Sequence, residues 1–281
     1  MSLWLFLTNS LKARVVSYNI LQERLDAAIV TAHDAGNYIL LQETSNIRVS
    51  AKGLNDSVSD TDIAVEKLIF NNLQKSFPGD RFLGEEQGER GSGNGGRWII
   101  DPIDGTDNYI RSIPNFTISI AYEDSSGNLS LGVVYNPVQK ELFSAVKGCG
   151  AFINGRTINV SGITDPSSAV SIIAPPRKSY ERTSDYFRLM EDIFLNTRDV
   201  RRFGSAALEL CYVACGRVEA YYEMGLKYYD IAAGMVVLKE AGGRYSSFSH
   251  SENLIENGNI LATNGYLHDW YSEKIHDNMG V

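Results

Sequence analysis

The 281-residue sequence predicts a mixed α and β chain of two lobes, an α+β lobe over residues 1–160 and an α/β lobe over residues 161–281. Three observations carry this expectation. Two stretches with helical spacing precede the first long strand. Four apolar runs joined by short turns then follow, the pattern of an antiparallel sheet. Beyond Ser161 strands and helices alternate.

Taken in order, Val16, Ile20, Leu21, Leu25, Ala28, Ile29 and Ala32 recur at helical spacing, and Ile63 to Leu73 reads as a second helix opening behind Asp62. Gly88 to Gly96, rich in glycine and polar residues, reads as a mobile surface loop. Strands are expected at Arg97 to Asp101, Phe116 to Tyr122, Leu129 to Tyr135 and Glu141 to Val146, followed by a hairpin signal at Asn154-Gly155. The second lobe reads as a strand at Val170 to Ala174, a helix at Tyr180 to Leu195, a strand near Val200 and a helix at Ser205 to Ala214. A strand at Glu219 to Glu223, a helix at Asp230 to Ala241, strands at Gly243 to Ser247 and Ile260 to Asn264, and a helix near Leu267 to His276 complete it. Cys215-Gly216 and Gly242-Gly243 sit where helix C-caps are expected.

A net charge of -8 argues against nucleic acid or an anionic membrane as partner, and an anionic small substrate would need bound cations to draw it in. Leu3 to Leu7 is too short for a signal sequence or a membrane span, so no membrane partner is expected. Cys149, Cys211 and Cys215 form an odd set without a disulfide framework, which points to the reducing cytoplasm.

The chemistry concentrates in Trp98 to Thr106, where an apolar strand runs into two carboxylates, a proline, a glycine and a hydroxyl. Strand residues three apart face opposite ways, so Asp101 and Asp104 share an ion only if the chain turns between them. The Ile103 peptide oxygen inside that turn can serve as a further oxygen ligand, and the N–H groups of Gly105 and Thr106 can face an anion if a helix starts there. Glu85, behind the short strand Arg81 to Leu83, and Asp230, at a helix start, complete an oxygen-only set suited to Mg²⁺ or Mn²⁺. The four histidines have no metal-ligand spacing, which disfavours zinc. Gly91 to Gly96 matches a dinucleotide fingerprint by letter but precedes a strand, the wrong order for that site.

Five signatures in order then resemble the inositol monophosphatase-like, lithium-sensitive, Mg²⁺-dependent phosphatases. They are Ser59-Asp60-Thr61-Asp62, Gly84-Glu85-Glu86, Trp98 to Thr106, Gly204-Ser205-Ala206, and Tyr222 to Gly225 followed by Asp230. The resemblance implies a layered α-β-α-β-α sugar-phosphatase fold. It also implies Mg²⁺ sites, two or three ions, at Glu85, Asp101, Ile103, Asp104 and Asp230, with Asp62 touching the weakest, and an Asp62–Thr106 dyad that orients the attacking water. Asp104, Gly105, Thr106 and Asp230 would meet the phosphate region, and Gly204, Ser205, Ala206 and Glu223 the alcohol. Lys52 matches the family's loop lysine, although Ala51 to Ser57 lacks the usual proline and threonine.

The activity implied is Mg²⁺-dependent hydrolysis of an inositol monophosphate or related sugar phosphate by water attack, without a phosphoenzyme; lithium inhibition and a homodimer come with it. Fructose 1,6-bisphosphate and 3′-phosphoadenosine 5′-phosphate are the alternative substrates, and Tyr229, in place of the family's tryptophan, alters the pocket wall. A covalent-aspartate phosphatase is disfavoured by the Asp101–Asp104 spacing, and a non-catalytic divalent-cation-binding scaffold by the unbroken ligand set.

Overall fold

Strands that read as unbroken apolar runs need cover on both faces, and helices flank both major sheets here. The structure, a computed structural model, describes the backbone of residues 2–42, 49–53, 56–175, 182–249 and 253–281, and the side chains of residues 19–42, 59–175, 182–249 and 253–281. It opens with α1 (Ser2–Leu40), the short pair β1 (Val49–Gly53) and β2 (Asp56–Ser59), and α2 (Asp60–Ser76). Then come β3 (Arg81–Gly84), β4 (Gly88–Arg90), β5 (Arg97–Asp104), the short helix α3 (Thr106–Ile110), β6 (Thr117–Glu123), β7 (Leu129–Asn136), β8 (Glu141–Val146), β9 (Ala151–Ile153) and β10 (Arg156–Ile158). The second half holds β11 (Val170–Ala174), α4 (Thr183–Asn196), β12 (Asp199–Arg201), α5 (Ala206–Ala214), β13 (Ala220–Glu223), α6 (Tyr228–Glu240), β14 (Arg244–Ser246), α7 (Leu254–Asn257), β15 (Ile260–Thr263) and α8 (His268–Met279).

The larger sheet runs β10-β9-β8-β7-β6-β5-β3-β4, antiparallel except where β3 lies parallel to β5. Period-two alternation sorts its side chains. Trp98, Ile100, Ile118, Ile120, Leu131 and Val133 pack with Ala28, Ala32, Ala35 and Ile39 of α1 and with Val65, Ile69 and Leu73 of α2. Ile99, Ala121, Val134 and Phe143 face the other way, onto α5 and α6. The smaller sheet, β12-β11-β13-β15-β14, presents Ile172, Tyr221, Ile260 and Ala262 to those same two helices. Its far face packs Ile173, Tyr222 and Leu261 against Tyr186, Leu189 and Ile193 of α4 and Tyr271 and Ile275 of α8. The result is the expected α-β-α-β-α layering, with α5 and α6 as a middle layer shared by both sheets. Gly132 permits the close approach of α6 to β7, since a Cβ there would stand 2.4 Å from the Ala233 carbonyl oxygen.

Several sequence expectations shift at their edges. The first helix extends beyond Ala32 because the buried stripe Ala28, Ala32, Ala35, Ile39 continues at helical spacing. The second opens at Asp60 behind Ser59, not behind Asp62, and the sixth opens at Tyr228 rather than Asp230. Gly88 to Gly96 is not all loop: Gly88–Arg90 pairs with β3 as an edge strand. The Asn154-Gly155 hairpin forms as expected, both residues at positive φ. Tyr180, the expected start of α4, lies outside the described residues.

Candidate active site

A β-bulge, rather than a turn, brings Asp101 and Asp104 together. Asp101 stands opposite Ser119 and Asp104 opposite Thr117, so three steps on β5 match two on β6. The extra residue converts an odd spacing into an even one, which places both carboxylates on the same face. Pro102 sits inside the bulge, where it has no ladder bond to lose. The Ile103 N–H donates to Asp101 Oδ1 at 3.0 Å, and the Thr106 hydroxyl lies 3.0 Å from the Ile103 carbonyl oxygen.

Parallel pairing of β3 with β5 sets Gly84 beside Ile100, so the next residues, Glu85 and Asp101, emerge side by side. The Glu85 N–H donates to the Ile100 carbonyl at 3.2 Å, and the following N–H, of Glu86, is held at 2.7 Å by the buried Glu66 carboxylate. Asp62 is the third residue of α2 and joins Ser59 in a reciprocal capping box. Its Oδ1 lies 3.0 Å from the Thr106 hydroxyl, while its Oδ2 accepts the Ser59 N–H at 2.9 Å and contacts the Ser59 hydroxyl.

From the other sheet come Glu223, at the end of β13, and Asp230, the third residue of α6. Tyr221 donates its hydroxyl to Glu223 Oε2 at 2.6 Å, and Lys227 donates its N–H to Asp230 Oδ2 at 2.6 Å. The N-terminus of α5 closes on Asp104: its Oδ2 accepts from Ser205 Oγ at 2.6 Å and the Ala207 N–H at 2.7 Å, its Oδ1 from the Ala206 N–H at 3.2 Å.

One cleft is lined by Glu85, Asp101, Ile103, Asp104, Gly105, Thr106, Gly204, Ala206, Glu223 and Asp230. Ser205 lies behind the lining, buried against Asp104, and Asp62 reaches the cleft through Thr106. The Lys52 side chain lies outside the described residues. Arg202, Lys227 and Tyr229 also line the cleft. Sequence reasoning missed Glu209 and Asn108. Glu209 is the lone charge in the otherwise apolar helix Ala206–Ala214 and is fully buried, a signal that was present in the sequence.

The acids perturb one another. Burial, then the charges of Glu85, Asp104 and Asp230, push the Asp101 carboxyl well above the usual range. Burial and then Asp104 push Asp230 up likewise, partly opposed by the Lys227 N–H. Burial, with Glu223 next, raises Glu209 to about 8. Among the described residues no three acidic, histidine or cysteine side chains form a ready-made ligand polyhedron, and Asp101, Asp104 and Asp230 each spend oxygens on protein donors. The donor chemistry nevertheless fits Mg²⁺: buried carboxylates that repel one another, plus the Ile103 carbonyl, are the hard oxygen set whose charge a divalent cation balances.

Residues 20–279 match the inositol monophosphatase family, and the chain belongs to it. Nus factor SuhB of Escherichia coli strain K12 is 39% identical over 243 residues, 85% of this chain and 91% of that protein. The inositol-1-monophosphatase of Mesorhizobium japonicum is 40% identical over 223 residues, 79% of this chain and 84% of that one. The crystal structure of extragenic suppressor protein suhB from Bartonella henselae superposes with a TM-score of 0.87 at 35% identity, covering 92% of this chain and all of that one. The family is one of phosphatases, generally Mg²⁺-dependent.

Proposed function

We propose that the protein hydrolyses the phosphate monoester of an inositol, or of a related sugar, to the alcohol and inorganic phosphate. The observation that carries this reading is the meeting of Glu85, Asp101, Asp104 and Asp230 in one cleft with the Asp62–Thr106 pair on one side and Glu223 on the other. Glu85, Asp101, Asp104, Asp230 and the Ile103 carbonyl would hold two or three Mg²⁺ ions, which when bound neutralise phosphate charge, acidify water and stabilise the leaving oxygen. The chain's own groups do the rest. With its hydrogen given to Asp62, the Thr106 oxygen can accept from a water and hold it in line with phosphorus; the water's proton passes to Thr106 as the Thr106 proton passes to Asp62. Glu85, beside Asp101, is a second acceptor near that water. Gly105 and Thr106 face the phosphate, and Gly204, Ala206 and Glu223 face the alcohol, with Tyr221 fixing the Glu223 carboxylate for ring hydroxyls.

Phosphate release from inositol, sugar, nucleotide and aryl phosphates, with and without Mg²⁺, tests the reading. Turnover of inositol phosphate that disappears on chelation is expected; activity that survives thorough chelation, or a trapped aspartyl phosphate, would overturn it. Best turnover of fructose 1,6-bisphosphate or 3′-phosphoadenosine 5′-phosphate would shift the substrate within the same chemistry. Lithium inhibition and a homodimer are part of the proposal by family resemblance, and a cytoplasmic setting is supported by three free thiols.

The relatives named Nus factor favour a second reading, a role in which turnover is dispensable. The two part in a strain lacking its own SuhB. Rescue by wild type and by Asp101→Asn alike supports the non-catalytic role; rescue by wild type alone supports hydrolysis.

A further inference from the structure

We infer that Asn108 and Glu209 form a two-sided clamp on the Phe203–Gly204 turn, which locks the alcohol-side wall of the cleft to the phosphate-side helix and thereby sets substrate discrimination. The inference rests on the proposed hydrolysis of a sugar-alcohol phosphate and names two positioning residues for it.

The clamp grips one peptide segment from both edges. Asn108, two residues beyond Thr106 in α3, spends its two amide hydrogens on the Phe203 carbonyl at 2.7 Å and the Asn115 carbonyl at 2.6 Å, with the Gly204 carbonyl 3.4 Å away. Glu209, one turn into α5, takes the opposite edge: its Oε1 accepts the N–H of Phe203 at 2.7 Å and of Gly204 at 2.8 Å. The donor and the acceptor of Phe203 are thus both held by side chains. The turn has little room to relax. Gly204 is at φ 81°, and a Cβ there would stand 3.1 Å from the Asn108 amide nitrogen. Gly105 is pressed against the same turn, since its own Cβ would meet the Gly204 carbonyl oxygen at 3.0 Å.

Helix packing does not account for Glu209. The residue is fully buried among apolar neighbours of α5, and its Oε2 has no hydrogen-bond partner. A leucine would fill such a helix position without that desolvation cost, so the carboxyl group is retained for the two N–H groups it accepts. The turn it fixes carries Gly204 and, two residues on, Ala206, both in the cleft wall. If the turn drifts, the alcohol wall moves directly, whereas the Asp101–Asp104 bulge is reached at its far end, through the bonds of Ser205, Ala206 and Ala207 to Asp104.

The test compares Glu209→Ala, Glu209→Gln and Asn108→Ala on inositol 1-phosphate and on p-nitrophenyl phosphate at saturating Mg²⁺. Glu209→Ala and Asn108→Ala are expected to raise KM for inositol 1-phosphate about tenfold more than for the aryl ester, with the smaller change in kcat. Glu209→Gln, which keeps the accepting oxygen, is expected to restore most of the discrimination. Because both residues hold the same peptide, the double variant should be no worse than the worse single one. Amide hydrogen exchange across residues 203–206 should accelerate in both single alanine variants and stay slow in Glu209→Gln, a readout that needs neither turnover nor metal. Equal KM changes for the two esters, additive losses in the double variant, or unchanged exchange would overturn the clamp. If Glu209→Ala does not fold, Asn108→Ala and Glu209→Gln still decide. A wild-type protein that fails on inositol 1-phosphate would sink the proposed substrate, and the exchange measurement would then judge the clamp alone.

Discussion

The two sides of the cleft are built differently. On the eight-stranded sheet, Glu85, Asp101, Asp104 and Thr106 are placed by backbone rules that act over a few residues: a parallel register, one bulge and a left-handed glycine. On the five-stranded side, Gly204, Glu223 and Asp230 arrive from three separate segments, and their places depend on how α5 and α6 pack between the sheets. Most charge-handling groups are therefore placed by local backbone rules, with Asp230 the one acid that comes from the other side, whereas Gly204 and Glu223 hang on tertiary contacts. This division suits enzymes that keep one reaction and vary the alcohol, since the wall can change along α5 while its first turn stays tied to Asp104 of the bulge.

If the comparison holds, variants of the acids and of Thr106 should cost kcat and variants of the alcohol-side groups Gly204 and Glu223 should cost KM. The largest effect is expected for Asp101→Asn, which removes a charge from the middle of the acidic group: a fall in kcat on the order of 10³-fold, read by phosphate release over a Mg²⁺ titration. A loss repaired fully by excess Mg²⁺ would move Asp101 from chemistry to affinity alone. Next is Thr106→Ala, which breaks the hydrogen bond to Asp62; kcat should fall on the order of 10²-fold with KM nearly unchanged. An equal rise in KM would place Thr106 in binding rather than in orienting the water.

The same division explains what was legible beforehand. Asp101 and Asp104 could be picked out because proline, glycine and two carboxylates behind an apolar run are a local pattern, yet a turn was expected where a bulge occurs. Only the pairing of Asp101 with Ser119 and Asp104 with Thr117 reveals the extra residue. Asp62 and Asp230 read as helix openers, but each is the third residue of its helix, set by Ser59 and Lys227 before it. The strand Gly88–Arg90 was hidden in a glycine-rich stretch because its pairing with β3, not its own side chains, makes it a strand. Asn108 and Glu209 were invisible as a pair because they meet through the backbone of Phe203, 95 residues from Asn108, and no side-chain pattern encodes a main-chain partner.

A smaller effect sharpens the recognition side. Glu223→Gln keeps the bond to Tyr221 within reach but weakens acceptance from ring hydroxyls, so KM for inositol phosphate should rise about tenfold, the loss of one charge-assisted hydrogen bond. The aryl ester, which has no such hydroxyls, should change far less; equal effects on both would remove the proposed contact.

The smallest expected effect concerns stability and separates the sides in a different way. In the folded protein Glu209 keeps its proton up to a pH of about 8, against about 4.5 when unfolded, because burial and then the Glu223 charge oppose ionisation. The folded state thus binds more protons between those two values, and stability falls as pH rises across that window: it is fully present below about 4.5 and lost by about 8. Asp101 and Asp230, also raised, act in the same direction, so the metal-free protein should melt at lower temperature at pH 8 than at pH 5. Glu209→Gln removes one share of that slope while leaving the acids of the bulge in the sequence. The variant should melt higher than wild type at pH 8 and change little at pH 5. Parallel melting curves for the two proteins across this range would mean that Glu209 is already ionised in the folded state at pH 5, and the raised carboxyl would be refuted.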